Sequence, residues 1–194
     1  HPPIKFVDNH KKQKTNHSIW KGVKMGIIAN YQYLSDNNLQ ELKSFYAEED
    51  DIFEEVEDWN DEAEILLDID KMWDALHFVL TGVSLSCSES IKNNPLSEAV
   101  VGVFSIDGIE EYISYIEKSR IKDIVLALDN FNIEKALETF SMAECKEAEL
   151  YPDIWDYEEE TDEIKKEIMD YFQNMKDFYK QVLEEDGNVL VTLY

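Results

Sequence analysis

Apolar positions along this chain follow two periods, one of a strand and one of a helix. Gly26-Ile-Ile-Ala-Asn-Tyr-Gln-Tyr-Leu34 is rich in β-branched and aromatic residues and alternates in its second half, which predicts a strand over 26–34. Ser35 can cap the next helix, because its hydroxyl suits the orphan N–H groups of a first turn. Leu39, Leu42, Phe45 and Tyr46 then take up helical spacing. The acidic segment Glu48 to Asp58, with only Ile52, Phe53 and Val56 apolar, reads as a loop or a short solvated helix. Ile65, Leu66, Ile69, Trp73, Leu76, Val79 and Leu80 fall at intervals of three and four, predicting a helix from about Glu62 to Leu80 that Gly82 stops.

Asn93-Asn94-Pro95 marks a loop, and the near-continuous apolar run over 98–106 reads as a second strand buried on both faces. Asp107-Gly108 turns the chain into helices near 109–118 and 119–130, the latter facing inward through Ile121, Ile124, Val125 and Leu128. Shorter helices follow near 132–139 and from Ser141 to Lys146, and Tyr151-Pro152 breaks the pattern. The last helix runs from about Glu159 to Glu185, with Ile164, Ile168, Phe172, Met175, Tyr179 and Val182 as its stripe. Gly187 ends it, and Val189 to Tyr194 form a closing strand. The expected fold class is α+β and helix-rich: a small sheet of about three or more strands covered by helices, with a long C-terminal helix followed by a final strand. Strands and helices do not alternate regularly enough for a doubly wound sheet.

Charge divides the chain. Residues 1–24 hold six of the 18 basic residues and one acid, Asp8. Without them 12 basic stand against 42 acidic residues, a net charge of −30. Lys21-Gly22-Val23-Lys24-Met25 also back-translates to a purine-rich block ahead of a start codon. The expectation is that 1–24 is a basic leader or an added expression segment, with a genuine basic arm as the alternative, and that 25–194 is a single α+β domain. A surface this negative repels phosphate backbones and anionic headgroups, which argues against nucleic acid and membrane and for a basic protein partner. No apolar run approaches the roughly 20 residues of a bilayer span. Cys87 and Cys145 form no CxxC pairing, so the expected compartment is the cytoplasm, with free thiols.

Candidate chemistry centres on one stretch. Within the predicted helix, Asp70, Asp74 and His77 fall at i, i+4 and i+7 and project from nearly the same face. Such a set could form a metal site or a general acid–base pair. An Asp–His pair at i, i+3 is equally an ordinary helix contact that orders the imidazole. Sequence supplies no third strong metal ligand nearby, no calcium loop, no phosphate-binding loop and no HExxH, so neither metal nor cofactor is expected.

Several stretches resemble a known family: Asp68-Ile-Asp-Lys-Met-Trp-Asp-Ala-Leu-His-Phe-Val-Leu-Thr-Gly82, the turn Lys92-Asn-Asn-Pro-Leu-Ser97 with Ala99-Val-Val-Gly102, Glu149-Leu-Tyr-Pro152, and the opening Met25-Gly-Ile-Ile28. In this order they resemble the YfbM-like family over the whole of 25–194. The acidic segment near 48–58 is less typical, and residues 1–24 fall outside the match. The resemblance implies a small bacterial α+β protein whose family is a domain of unknown function. It carries no catalytic residues across, and for some relatives it implies a place among toxin-immunity genes. The expected function is therefore an acidic binding protein that docks a basic protein partner, with toxin immunity as the type the resemblance suggests. The alternative is a small enzyme or metal-dependent hydrolase working from Asp70, Asp74 and His77.

Overall fold

Asn188-Val-Leu-Val-Thr-Leu193 is β-branched or apolar at nearly every position, and it forms a strand that is buried at all six. Only the middle of a sheet covered on both faces allows that. The computed structural model describes residues 26–45, 52–85, 91, 93–106 and 111–194. Its sheet has five strands, β1 (Ala29–Leu34), β2 (Leu66–Asp68), β3 (Phe104–Ser105), β4 (Tyr112–Ile116) and β5 (Asn188–Leu193), in the order β2-β1-β5-β4-β3. Every neighbouring pair is antiparallel. Ala29 lies opposite Leu193, and Tyr112 lies opposite Leu193 from the other side.

Eight α-helices occur among the described residues: α1 (Asp36–Ser44), α2 (Ile52–Glu62), α3 (Trp73–Thr81), α4 (Pro95–Val101), α5 (Lys118–Asn130), α6 (Ile133–Glu138), α7 (Met142–Glu147) and α8 (Thr161–Glu184). The two-residue period of the strands sorts them into two cores. Ala29, Tyr31, Val189, Val191 and Leu193 face the larger core, which α3 to α8 complete. Leu34, Ile113, Tyr115 and Leu190 face a smaller one, closed by Leu39 and Leu42 of α1 and by Ile52, Val56 and Trp59 of α2. Asn188 knots the two halves: its Nδ2 donates to the Leu34 carbonyl at 3.1 Å and to Asp36 Oδ1 at 2.9 Å, and its Oδ1 accepts from Lys118 N at 2.8 Å. Among the described residues no helix is long and apolar enough to cross a membrane.

The α+β class, the long helix and the final strand agree with the reading of the sequence. Ser35 caps α1, accepting from Asn38 N at 3.1 Å. Three elements differ. The helix expected over 62–80 starts only at Trp73, and its first part is strand β2. Ile65, Leu67 and Ile69 pack into the larger core on alternate residues, and Asp70 takes a left-handed φ of 50°, with its N–H held by Asp68 Oδ1 at 2.7 Å. The strand expected over 98–106 is mostly helix α4, because Pro95 opens it and Asn94 Oδ1 caps Leu96 N at 2.9 Å. The helix expected near 109–118 is strand β4, whose Tyr-Ile-Ser-Tyr-Ile composition suits a ladder between β3 and β5. The acidic segment is an amphipathic helix, α2, with Ile52, Val56 and Trp59 turned inward. Tyr46, Glu48–Asp51 and Asp107–Gly108 lie outside the described residues.

Helix α4 ends inside the larger core, where no water can reach its last carbonyls. A helix leaves its final four C=O groups without intrahelical partners. Here each finds one. Gly102 N donates to Glu98 O at 2.8 Å, Tyr179 Oη to Ala99 O at 2.6 Å and Tyr31 Oη to Val100 O at 2.6 Å. Tyr112 Oη and Ser114 Oγ both donate to Val101 O, at 2.8 and 2.7 Å. Burial raises the Tyr31 and Tyr179 hydroxyls well above the ordinary range, so they stay protonated donors. Gly102 has a φ of 77°, and a Cβ there would meet Ser114 Oγ at 2.1 Å. Tyr31→Phe and Tyr179→Phe should each lower the unfolding free energy by about 1–3 kcal/mol in urea titrations, the cost of an unpaired buried carbonyl.

Candidate functional site

Helix α3 is buried on nearly every side: Trp73, Asp74, Ala75, Leu76, His77 and Leu80 are all inside. Its polar side chains must therefore find protein partners. Asp74 Oδ2 accepts from Tyr151 N at 2.8 Å. The Trp73 ring stacks on that of Tyr151, with centroids 5.4 Å apart, and its Nε1 donates to Ile27 O at 3.0 Å. Ile27 N in turn donates to Tyr151 Oη at 2.7 Å. Tryptophan, tyrosine and the segment before β1 thus close a ring around the start of α3.

The other end of the helix is organised by His77, which is 0% exposed. Gly82 takes a left-handed φ of 70° and ends the helix, bending the chain so that the Val83 carbonyl comes back to His77 Nδ1 at 3.0 Å. Thr81 Oγ1 holds this turn, donating to His77 O at 2.9 Å and accepting from Val83 N at 3.1 Å. A carbonyl only accepts, so Nδ1 carries the proton. Nε2 then accepts from Ser97 Oγ of α4 at 2.8 Å. These partners define a neutral imidazole with one tautomer. Burial, opposed in part by the Val83 carbonyl, lowers its pKa to about 4.

Asp70, Asp74 and His77 therefore do not share one helix face. Asp70 is exposed in the turn before α3, Asp74 reaches Tyr151 and His77 reaches Ser97. Among the described residues no group of three or more His, Cys, Asp or Glu side chains could hold a metal ion. Cys145 is buried in the same region. Burial, with the charges of Glu144 and Asp74, pushes its thiol up to about 12, so it is no thiolate nucleophile at neutral pH. Cys87 lies outside the described residues. Ser97 was the partner that spacing alone missed: read as part of a loop and strand, it had no reason to face His77. The Asn94 cap and Pro95 together were the signal that a helix starts there.

Fold and junction together define a helix-rich α+β domain whose last strand is central to an antiparallel sheet. The chain belongs to the family described as "Domain of unknown function (DUF1877)", which matches residues 25–192. Protein YfbM of Escherichia coli (strain K12) is 31% identical over 128 residues, 66% of this chain and 75% of YfbM. The crystal structure of YfbM from Escherichia coli, a protein of unknown function, matches with a TM-score of 0.70 at 25% identity, over 86% of this chain and 99% of that one. The four stretches that carry the sequence resemblance all meet at α3: Ile27, Trp73 with Asp74 and His77, Ser97, and Tyr151.

An imidazole held neutral has a consequence for pH. Between about pH 6.5 and 4 the unfolded chain binds a proton at His77 that the folded chain refuses. This part of the stability is complete above pH 6.5 and is lost as pH falls toward 4, to a total of about 3 kcal/mol. His77→Asn keeps a donor for Val83 O but does not titrate. In urea titrations across this range the difference between wild type and variant should shrink as pH falls.

Proposed function

We propose that the protein is an interaction domain whose acidic surface docks a basic protein partner. The observation that supports this reading is an uncompensated field on one side of the molecule. Glu54, Glu57, Asp58, Asp61 and Glu62 are exposed on α2, and Glu64, Asp68 and Asp70 continue the series along and beside β2. No basic residue occurs between Lys43 and Lys71. None of these carboxylates has an ion-pair partner among the described residues. The pairs formed there use other acids, such as Asp36, Glu98, Glu117 and Asp129. Like charges held together on one face cost folding energy through mutual repulsion, and a cationic partner relieves it. The same field accelerates encounter with such a partner and weakens as salt screens it. Inhibition of a basic toxin is the form of docking that the family resemblance suggests.

The test is capture from a lysate of the source organism, comparing wild type with a variant carrying Glu54→Gln, Glu57→Gln, Asp58→Asn and Asp61→Asn. A basic protein should be retained by the wild type at low salt, lost at moderate salt, and retained on the order of tenfold less by the variant. Equal retention by the two folded proteins would sink this reading.

A further inference from the structure

The acidic side of the molecule includes an unpaired sheet edge. β2 is the outermost strand on its side, and among the described residues only β1 pairs with it. Ile69 N donates to Ala29 O at 3.2 Å and Tyr33 N to Ile65 O at 3.0 Å, so along the strand the odd-numbered residues bind β1, with Asp70 O accepting from Ala29 N at 3.0 Å just past its end. Antiparallel ladders alternate, which turns the N–H and C=O groups of Leu66 and Asp68 outward. Side chains along this edge form a row of Glu64, Leu66 and Asp68, all exposed, with Leu66 at 47%.

The neighbouring sheet face carries more of the same chemistry. Tyr194 is 41% exposed, and Phe53 of α2 meets it edge-on at 4.8 Å. Glu57 and Asp61 of α2 and Asp68 of β2 lie close enough to the Tyr194 hydroxyl that, after burial, their charges raise its pKa. Gln32 sits on β1 opposite Leu66, donates from Nε2 to Val56 O of α2 at 3.3 Å, and leaves its buried Oε1 without a hydrogen-bond partner.

Charge on an edge strand also serves to keep edges apart. That role alone does not account for an exposed leucine at the midpoint of the edge. It does select the occupant: a second copy of this chain would set Glu64 and Asp68 against their own kind, whereas a basic strand would be attracted. We propose that the open edge of β2 takes up an extended basic segment of a protein partner, adding it to the sheet as a further strand. An apolar residue of that segment covers Leu66. Its lysine or arginine side chains meet Glu64 and Asp68 and reach the Tyr194 ring between Glu57 and Asp61, where a cation is favoured by both the carboxylates and the aromatic face. The proposal rests on the basic-partner reading and adds to it the place and the shape of the ligand.

The probe is a synthetic peptide of repeating lysine-threonine-valine-threonine, so that lysine and valine follow one another along one face of the strand, titrated against the isotope-labelled full chain at low salt. A control of equal charge is N-methylated on consecutive residues, so that neither of its edges can donate to a neighbouring strand. The unmodified peptide should protect the N–H groups of Leu66 and Asp68 from hydrogen exchange and bind roughly tenfold more tightly than the control. Leu66→Pro removes an outward N–H while sparing the ladder to β1, and should abolish this preference. Leu66→Lys, which introduces no proline, should weaken the peptide without altering thermal stability. Equal binding of both peptides, with Leu66 and Asp68 unprotected, overturns edge addition and leaves the basic-partner reading intact. Binding of neither peptide also overturns it, and the lysate comparison then judges the wider reading separately.

Discussion

The buried end of helix α4 sets a requirement that much of the structure meets. Three tyrosines and a serine, drawn from β1, β4 and α8, converge on three successive carbonyls. Each hydroxyl belongs to an element that must be in place before the helix end can leave water without cost. Sheet, long helix and short helix are therefore mutually dependent, and the site tolerates little freedom in register. A one-residue slip of β1 would take the Tyr31 hydroxyl to the opposite face of the sheet.

The α3 junction extends that dependence. His77 joins α3 to α4 through Ser97, and Asp74 with Trp73 joins α3 to the Tyr151 segment and to the residues before β1. Its Asp and His side chains look catalytic in a linear reading because the same residue types serve both tasks. In the structure both side chains join α3 to other elements. An imidazole with both nitrogens occupied and no exposed surface is a joint between helices in the state described here. An exposed acidic surface lies elsewhere, on α2 and β2.

Legibility in the sequence followed exposure. Helices α5 and α8 each present one face to water, so their apolar stripes carry a clear period, and both were legible from Ile121 to Leu128 and from Ile164 to Val182. Elements buried all round lose that contrast. The Ala99-Val100-Val101 run fits a covered strand as well as a covered helix, and only the Asn94–Pro95 start decides for the helix. Around Leu66 to Trp73 a strand, a left-handed turn and a helix share one apolar register, which a period of three and four joined into one helix. The resemblance to a family identified the residues of the junction without revealing how they touch. The acidic face was legible as charge, while its sheet edge was not, because β2 is only three residues long.

The position of β5 bears on how the chain acquires its shape. Its two neighbours, β1 and β4, are not paired with each other in the sheet, and β1 is made some 150 residues earlier than its partner. Until Asn188–Leu193 emerges, the two halves of the sheet are separate edges, each with exposed apolar faces. Pairing over such a sequence distance makes loop closure a dominant kinetic obstacle. The interval between synthesis of α8 and docking of the last strand is thus when the nascent chain is most open to misassociation, and its strong negative charge then keeps copies of the unfinished protein apart.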